Sequence, residues 1–291
     1  MSAEIGIIGA DFPIPAFGSL WVVAADRPKP AVTRVDPDTN EILAEILVPG
    51  RLCNGLAAGF GSIWACAGDG IARIDPATNR VTAVIDVPAI GQTRLAVAGG
   101  SVWAFTSQAG VEPANSLLRI NPRTGRAVTI ALGHVAGTMT AAYGYLWITS
   151  VDDGLLLRVD PTTGTVETVM DGLPQPFFVS AGLASLWISL HANEEGGGAR
   201  GQTTVIRVDP RTFDVQAEVP AGPIGTTGEV VAGETGIWVR SASTFLTRFD
   251  ARSYEPLEVI NATKGGGSVV LAFDTVWVTS YDFGHLWRID P

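Results

Sequence analysis

Two charged residues stand at matching places in a sequence that otherwise sets small, polar or aromatic residues there. Arg94 lies nine residues before Trp103, and Glu229 lies nine before Trp238. At the same offset from five further tryptophans stand Phe12, Gly55, Thr138, Phe178 and Ser268. A guanidinium offers a planar fork of donors to a carboxylate or carbonyl and stabilises charge that develops on oxygen. A glutamate facing the same space is a candidate general base. Arg94 therefore reads as an anion clamp and Glu229 as a base, acting on a small polar or anionic organic molecule.

The histidines extend this set. His191 and His285 are further candidate catalytic groups, and His134, Asn54, Thr138, Phe178, Arg240 and Tyr281 are expected to line the same opening with Arg94. The carboxylates Asp26, Asp69, Asp152, Asp153, Glu194 and Glu195 are expected on the histidine side of the molecule, which leaves a divalent-ion site open as an alternative. No His-x-x-x-His or Glu-x-His spacing sharpens that alternative, so the cofactor stays unassigned. A second reading concerns Glu229 itself. A two-residue turn sets Arg240 directly across from it, and an opposite-charge pair across two strands is an ordinary stabilising device. Catalytic base and structural ion pair both stay open at this point.

The elements that must position these residues come from a repeat. Trp21, Trp64, Trp103, Trp147, Trp187, Trp238 and Trp277 are spaced by 43, 39, 44, 40, 51 and 39 residues. Each is followed by an Arg, and most of those by x-Asp-Pro or x-Asn-Pro. A period near forty is the mark of a propeller or solenoid. The apolar runs are short, rich in Val, Ile and Trp, and lack a 3.6-residue stripe, so they are strands. Asp75-Pro76-Ala77-Thr78-Asn79 reads as one hairpin loop and Gly59-Phe60-Gly61-Ser62 as a tighter one. The sequence thus predicts an all-β, seven-bladed propeller of four-stranded antiparallel blades, as one domain over residues 1–291. The seventh unit lacks a fourth strand, and residues 3–8 are expected to supply it beside residues 286–290. Closure of that kind leaves no open edge in the ring.

The Trp-to-Arg separations are 13, 9, 16, 11, 20, 10 and 11 residues, so loops on one face vary while turns on the other are alike. Variable loops on a rigid frame are where sites are built, and that face is expected to carry the opening. The longest loop, residues 191–202, holds three consecutive glycines and is a candidate lid.

Composition sets the outer limits. The net charge of −10 argues against nucleic acid or an anionic membrane as partner and leaves a small-molecule ligand, with the chain expected to act as a monomer. No apolar run reaches the length of a membrane span, and the first residues lack a secretory pattern, so a cytoplasmic location is expected. In the register that sets Gly55 opposite Cys66, Cys53 lies diagonally, so the two cysteines read as unbridged small apolar residues beside a loop.

The segments GSIWACAGDGIARIDPATNRVTAVIDVP and GYLWITSVDDGLLLRVDPTTGTVETV resemble the bacterial YVTN-type propeller repeat and its virginiamycin B lyase-like relatives. The resemblance covers essentially the whole chain and implies a seven-bladed propeller. It implies lyase- or hydrolase-like chemistry, which in the lyase relies on His and Glu around a central divalent ion. No Glu and His occupy equivalent positions in one unit here, so no catalytic residue carries over. Two functions stand side by side: an enzyme on a small organic substrate, and a non-catalytic propeller that binds a ligand or protein.

Overall fold

The computed structural model describes residues 1–25, 29–53, 55–68, 70–87, 94–106, 114–191, 203–222, 228–241, 244–262 and 265–291. Its strands form seven four-stranded antiparallel sheets. Blades 1 to 6 take residues 10–47, 56–86, 95–131, 139–170, 176–222 and 230–260, each in simple chain order. Blade 7 takes Val269–Ala272, Thr275–Ser280 and His285–Ile289, and its outer strand is Ala3–Gly6. Glu4 faces Trp287 and Ile5 faces Leu286 in that closing pair. Ile5 and Ile7 are buried there, which ties the closure to apolar area as well as to backbone bonds. The ring thus closes as the repeat implied. Among the described residues no helix is long and apolar enough to cross a membrane.

First strands pack against the first strands of neighbouring blades and line the channel. Second strands are buried almost throughout, because blades cover them on both sides. All seven repeat tryptophans have no exposed surface. Five of their indoles donate to the carbonyl five residues earlier, at 2.9 to 3.0 Å, so a large apolar ring is buried with its one donor satisfied. The Arg across from each Trp on the third strand lies over that indole in six blades, at 5.1 to 5.9 Å. In four blades its Nε donates to the serine two residues before the Trp. Its remaining nitrogens reach the next blade: Arg34 to the Pro76 carbonyl, Arg119 to that of Thr162, and Arg288 to that of Pro37.

The Asp-Pro turns form as their chemistry requires. Asp36 accepts from the amides of Asp38 and Thr39, and Asp160 from those of Thr162 and Thr163. These amides hold both carboxyls below the ordinary aspartate value.

The cysteines depart from expectation. Cys53 and Cys66 are joined in a disulfide, with Cα atoms 5.3 Å apart, inside the usual range for a bridge. The register is as predicted, with Leu56 opposite Ala65. Cys53 precedes the strand, however, and backbone outside a ladder is not held to the diagonal spacing of one.

Candidate functional site

The first strands all begin at one face of the ring, and the residues just before them form its mouth. Arg94 comes from blade 3 and Glu229 from blade 6, as far apart as a ring of seven allows. Arg94 Nη1 nevertheless donates to Glu229 Oε1 at 3.0 Å, so the pair spans the channel. The guanidinium carbon lies 4.0 Å from the centre of the Phe12 ring and 5.3 Å from that of Phe178. One cation is thus gripped between aromatic faces from blades 1 and 5 and neutralised from blade 6. Glu229 Oε2 accepts from the Val269 amide at 3.0 Å, which fixes the carboxylate against blade 7.

Local backbone irregularity aims the aromatics. Register shifts between Asp11 and Ile14 in blade 1 and between Pro176 and Val179 in blade 5. Phe12 sits at φ +43°, a left-handed conformation that its neighbours must enforce. Gly55 serves closeness instead: a Cβ there would stand 3.3 Å from Arg94 Cα. Beyond the ion pair lies a cavity of about 320 Å³, walled largely by aliphatic side chains such as Ile14, Leu56, Leu95, Val97 and Met139. Its exposed lining is nonetheless as polar as it is apolar, with Arg94, Glu229, Thr140 and Ser268 among the residues that face it.

Asp11 is the functional residue that the repeat did not single out. Its Oδ1 accepts from Ser268 Oγ at 2.6 Å and from the Phe12 amide at 2.9 Å. Burial, reinforced by the nearby Glu229 carboxylate, pushes its pKa up to about 6, against the hydrogen bonds and Arg94, which pull it down. A signal existed: of the seven residues one place before the mouth ring, Asp11 is the acidic one. Asp11 also lines a second pocket of about 380 Å³ with Arg51, Gly266 and Tyr281.

The predicted Glu229–Arg240 ion pair is not formed. The backbone register is right, since the Arg240 amide donates to the Glu229 carbonyl at 2.9 Å. The side chains diverge. Arg240 has no exposed surface and gives its donors to the carbonyls of Thr279, Ser241, Phe245 and Gly265, which tie blade 6 to blade 7. Burial lowers its pKa to about 10, against the fields of Asp11, Glu229 and Asp282. Arg240 therefore acts behind the mouth and does not line it.

The other predicted residues are dispersed. His191 approaches the mouth, stacked on Phe177 at 5.0 Å, with Phe177 edge-on to Phe178 at 4.8 Å. Burial lowers its pKa. His134 pairs with Asp153 at 3.0 Å, in a separate pocket at the junction of blades 3 and 4. His285 pairs with Glu4 at 3.0 Å on the closing strand. Thr138 uses its hydroxyl to bond the Phe177 carbonyl and the Val179 amide, joining blade 4 to blade 5. Asn54, Asp26, Asp69, Glu194, Glu195 and the candidate lid after His191 lie outside the described residues. Among the described residues no three His, Cys, Asp or Glu side chains gather. Among the described residues the three histidines lie in three separate places.

The fold and mouth define a seven-bladed β-propeller whose channel is spanned by an ion pair. No protein-family model and no curated protein matches the chain. Solved structures do. Hydrazine synthase from Kuenenia stuttgartiensis is 12% identical over 100% of this chain and 98% of that one, with a TM-score of 0.78. The Cps50 (Swd1) β-propeller domain of Myceliophteria thermophila is 10% identical over 100% and 98%, with a TM-score of 0.73. BamB from Moraxella catarrhalis is 14% identical over 99% and 98%, with a TM-score of 0.67. At such identity the likeness is one of fold alone.

Proposed function

We propose that this chain is a ligand-binding propeller whose central channel takes a small organic molecule bearing a carboxylate or carbonyl oxygen. The observation that carries this reading is the Arg94–Glu229 pair in a cavity of about 320 Å³ whose walls combine aliphatic side chains with polar groups. The ligand oxygen accepts from Arg94, and Glu229 is the counter-ion it joins or displaces. Phe12 and Phe178 keep the guanidinium in place while that exchange happens. The test is thermal-shift screening of straight-chain carboxylic acids and their amides, followed by calorimetric titration. Arg94→Met should abolish binding, whereas binding equal to wild type in that variant would move the site elsewhere.

A second reading, lyase- or hydrolase-like catalysis, is favoured by one contact. Ser268 Oγ lies 2.6 Å from Asp11, whose pKa of about 6 suits a base near neutrality. In this reading Asp11 takes the Ser268 proton as the serine attacks an ester carbonyl, and Arg94 holds the resulting oxyanion. The Glu229 oxygens are already engaged by Arg94 and the Val269 amide. Ester hydrolysis that rises with pH through about 6 and vanishes in Ser268→Ala and Asp11→Asn would favour catalysis; binding without turnover favours the first reading.

The buried Cys53–Cys66 bridge supports an oxidising compartment over the cytoplasm, since such bonds are rare where thiols are kept reduced. Mass spectrometry of the alkylated protein from each cellular fraction tests that placement.

A further inference from the structure

At the face opposite the mouth, each first strand turns into the second through two residues. Six of these seven turns hold both residues at positive φ, the geometry that favours Asn-Gly. Yet the first turn residue is Phe17 at φ +49°, Phe60 at +55° and Phe273 at +53°. A bulky L-residue held there is strained, because its Cβ crowds the carbonyl oxygen that follows. Burial of the ring is not the return, because these side chains are 45, 42 and 39% exposed. Tyr143 takes the same place in blade 4, but its hydroxyl is tied to the Ser185 carbonyl at 3.1 Å.

The three phenylalanines belong to blades 7, 1 and 2, which are consecutive around the ring. They form an arc at the end of the channel away from Arg94, within two residues of cavity-lining Pro15 and Ala58. The exposed charges on the turns of these blades are unlike those elsewhere on the face. Asp38, Glu41, Asp274 and Asp290 are exposed there, against Arg80 as the exposed basic side chain of those turns. On the turns of blades 3, 5 and 6 the exposed Arg123, Arg126, Arg211 and Arg252 stand beside the exposed Asp214, Glu234 and Glu255, so that part of the face is close to neutral. Exposed rings in a strained conformation, within an acidic half-face, mark a recognition surface.

We propose that this arc docks a cationic peptide segment of another protein, with its apolar side chains on Phe273, Phe17 and Phe60 and its Lys or Arg on the surrounding carboxylates. The same carboxylates disfavour the alternatives. An anionic bilayer would meet them and the net charge of −10. A second copy in two-fold contact would set each acidic half-face against itself. The inference concerns the other end of the channel and stands apart from the ligand proposed for the mouth.

The test is fluorescence anisotropy with a labelled ten-residue peptide of alternating Lys and Phe, beside a Glu/Phe counterpart. Phe17→Asn, Phe60→Asn and Phe273→Asn each place a favoured residue at the strained position, so the thermal midpoint should hold or rise. Each should weaken binding of the Lys/Phe peptide about tenfold, the cost of removing one anchor. Leu183→Asn, at the same turn position in blade 5, should leave binding unchanged, and added salt should weaken it in the wild type. Equal binding of the Glu/Phe peptide, or unchanged binding in all three Phe variants, would overturn the proposal. So would variants that lose only self-association in sedimentation, or only binding to vesicles of phosphatidylserine.

Discussion

The two faces of the ring answer the same structural problem in opposite ways. On the turn face, the Trp–Arg unit recurs with nearly one solution: the indole is bonded to the carbonyl five residues back in five blades, the guanidinium is stacked on the indole in six, and Arg34, Arg119 and Arg288 reach the next blade. On the mouth face, the top of the first strand is held differently from blade to blade. A disulfide does it in blade 2, and threonine or serine hydroxyls that accept the Thr138, Phe178 and Ser268 amides do it in blades 4, 5 and 7. In blade 6 Arg240 takes that place, and in blade 1 the Asp11 carboxylate accepts the Phe12 amide. A feature repeated with little change serves the ring. At the mouth, blades 4, 5 and 7 share one device while blades 1, 2 and 6 each have their own, which makes that face asymmetric.

That contrast can be broken at several depths. Trp64→Ala should cost about 3–5 kcal/mol by denaturant titration, as full removal of a buried aromatic does, and the other six tryptophans should behave alike. A spread as wide as that seen at the mouth would erase the distinction. Arg240→Ala leaves several buried carbonyls without donors and should cost about 3 kcal/mol, more than loss of any exposed arginine. The double variant Cys53→Ser, Cys66→Ser should lose about 2–3 kcal/mol, given a sequence separation of 13. It should also loosen amide exchange around Leu56 before it does so around Trp64.

Asp11 gives the prediction with a sign opposite to most buried contacts. Its pKa is about 6 in the fold against an ordinary 3.8, so the folded state holds the proton more tightly. Its stabilising share is complete below 3.8 and is lost as pH rises through about 6. Asp11→Asn should therefore match wild type near pH 4 and exceed it at pH 7 by about 2 kcal/mol, after discount for the solvent that reaches the residue. Equal stability at both pH values would show that the carboxyl is not desolvated. The smallest effect is the most specific. A double-mutant cycle on Arg94 and Glu229 should give about 1 kcal/mol of coupling, larger than the cycle on Glu229 and Arg240.

The sequence carried the ring, its blade count, the closing strand and the offset that brings Arg94 and Glu229 to one height, because all of these follow from the spacing of Trp, Arg and turn residues. It did not carry the partner of Glu229. A cross-strand register fixes where backbones meet and leaves open which way two long side chains turn; Glu229 turns across the channel and Arg240 turns outward to carbonyls. Asp11 stood out as the acidic residue one place before the mouth ring, but the bulge between Asp11 and Ile14 and the contact with Ser268 follow from no count of residues. The histidines share a face by chain position, yet His134 sits with Asp153 at the junction of blades 3 and 4 and His285 sits with Glu4 within blade 7, since that face is wide.

The closing strand has a consequence for the protein as it is being made. Ile5 finds its partner Leu286 only after the whole ring lies between them. At about 5–20 residues per second, the interval between these two residues takes roughly 15–60 s to synthesise. Throughout that time the segment that completes the last blade is already outside the ribosome with nothing to pair with. Earlier blades can stack as they emerge, but the circle has no cooperative closure until the final strand appears. Pulse proteolysis of stalled nascent chains should find every partial ring more readily cut than the released protein, with the largest gain in resistance at the step that adds His285–Ile289.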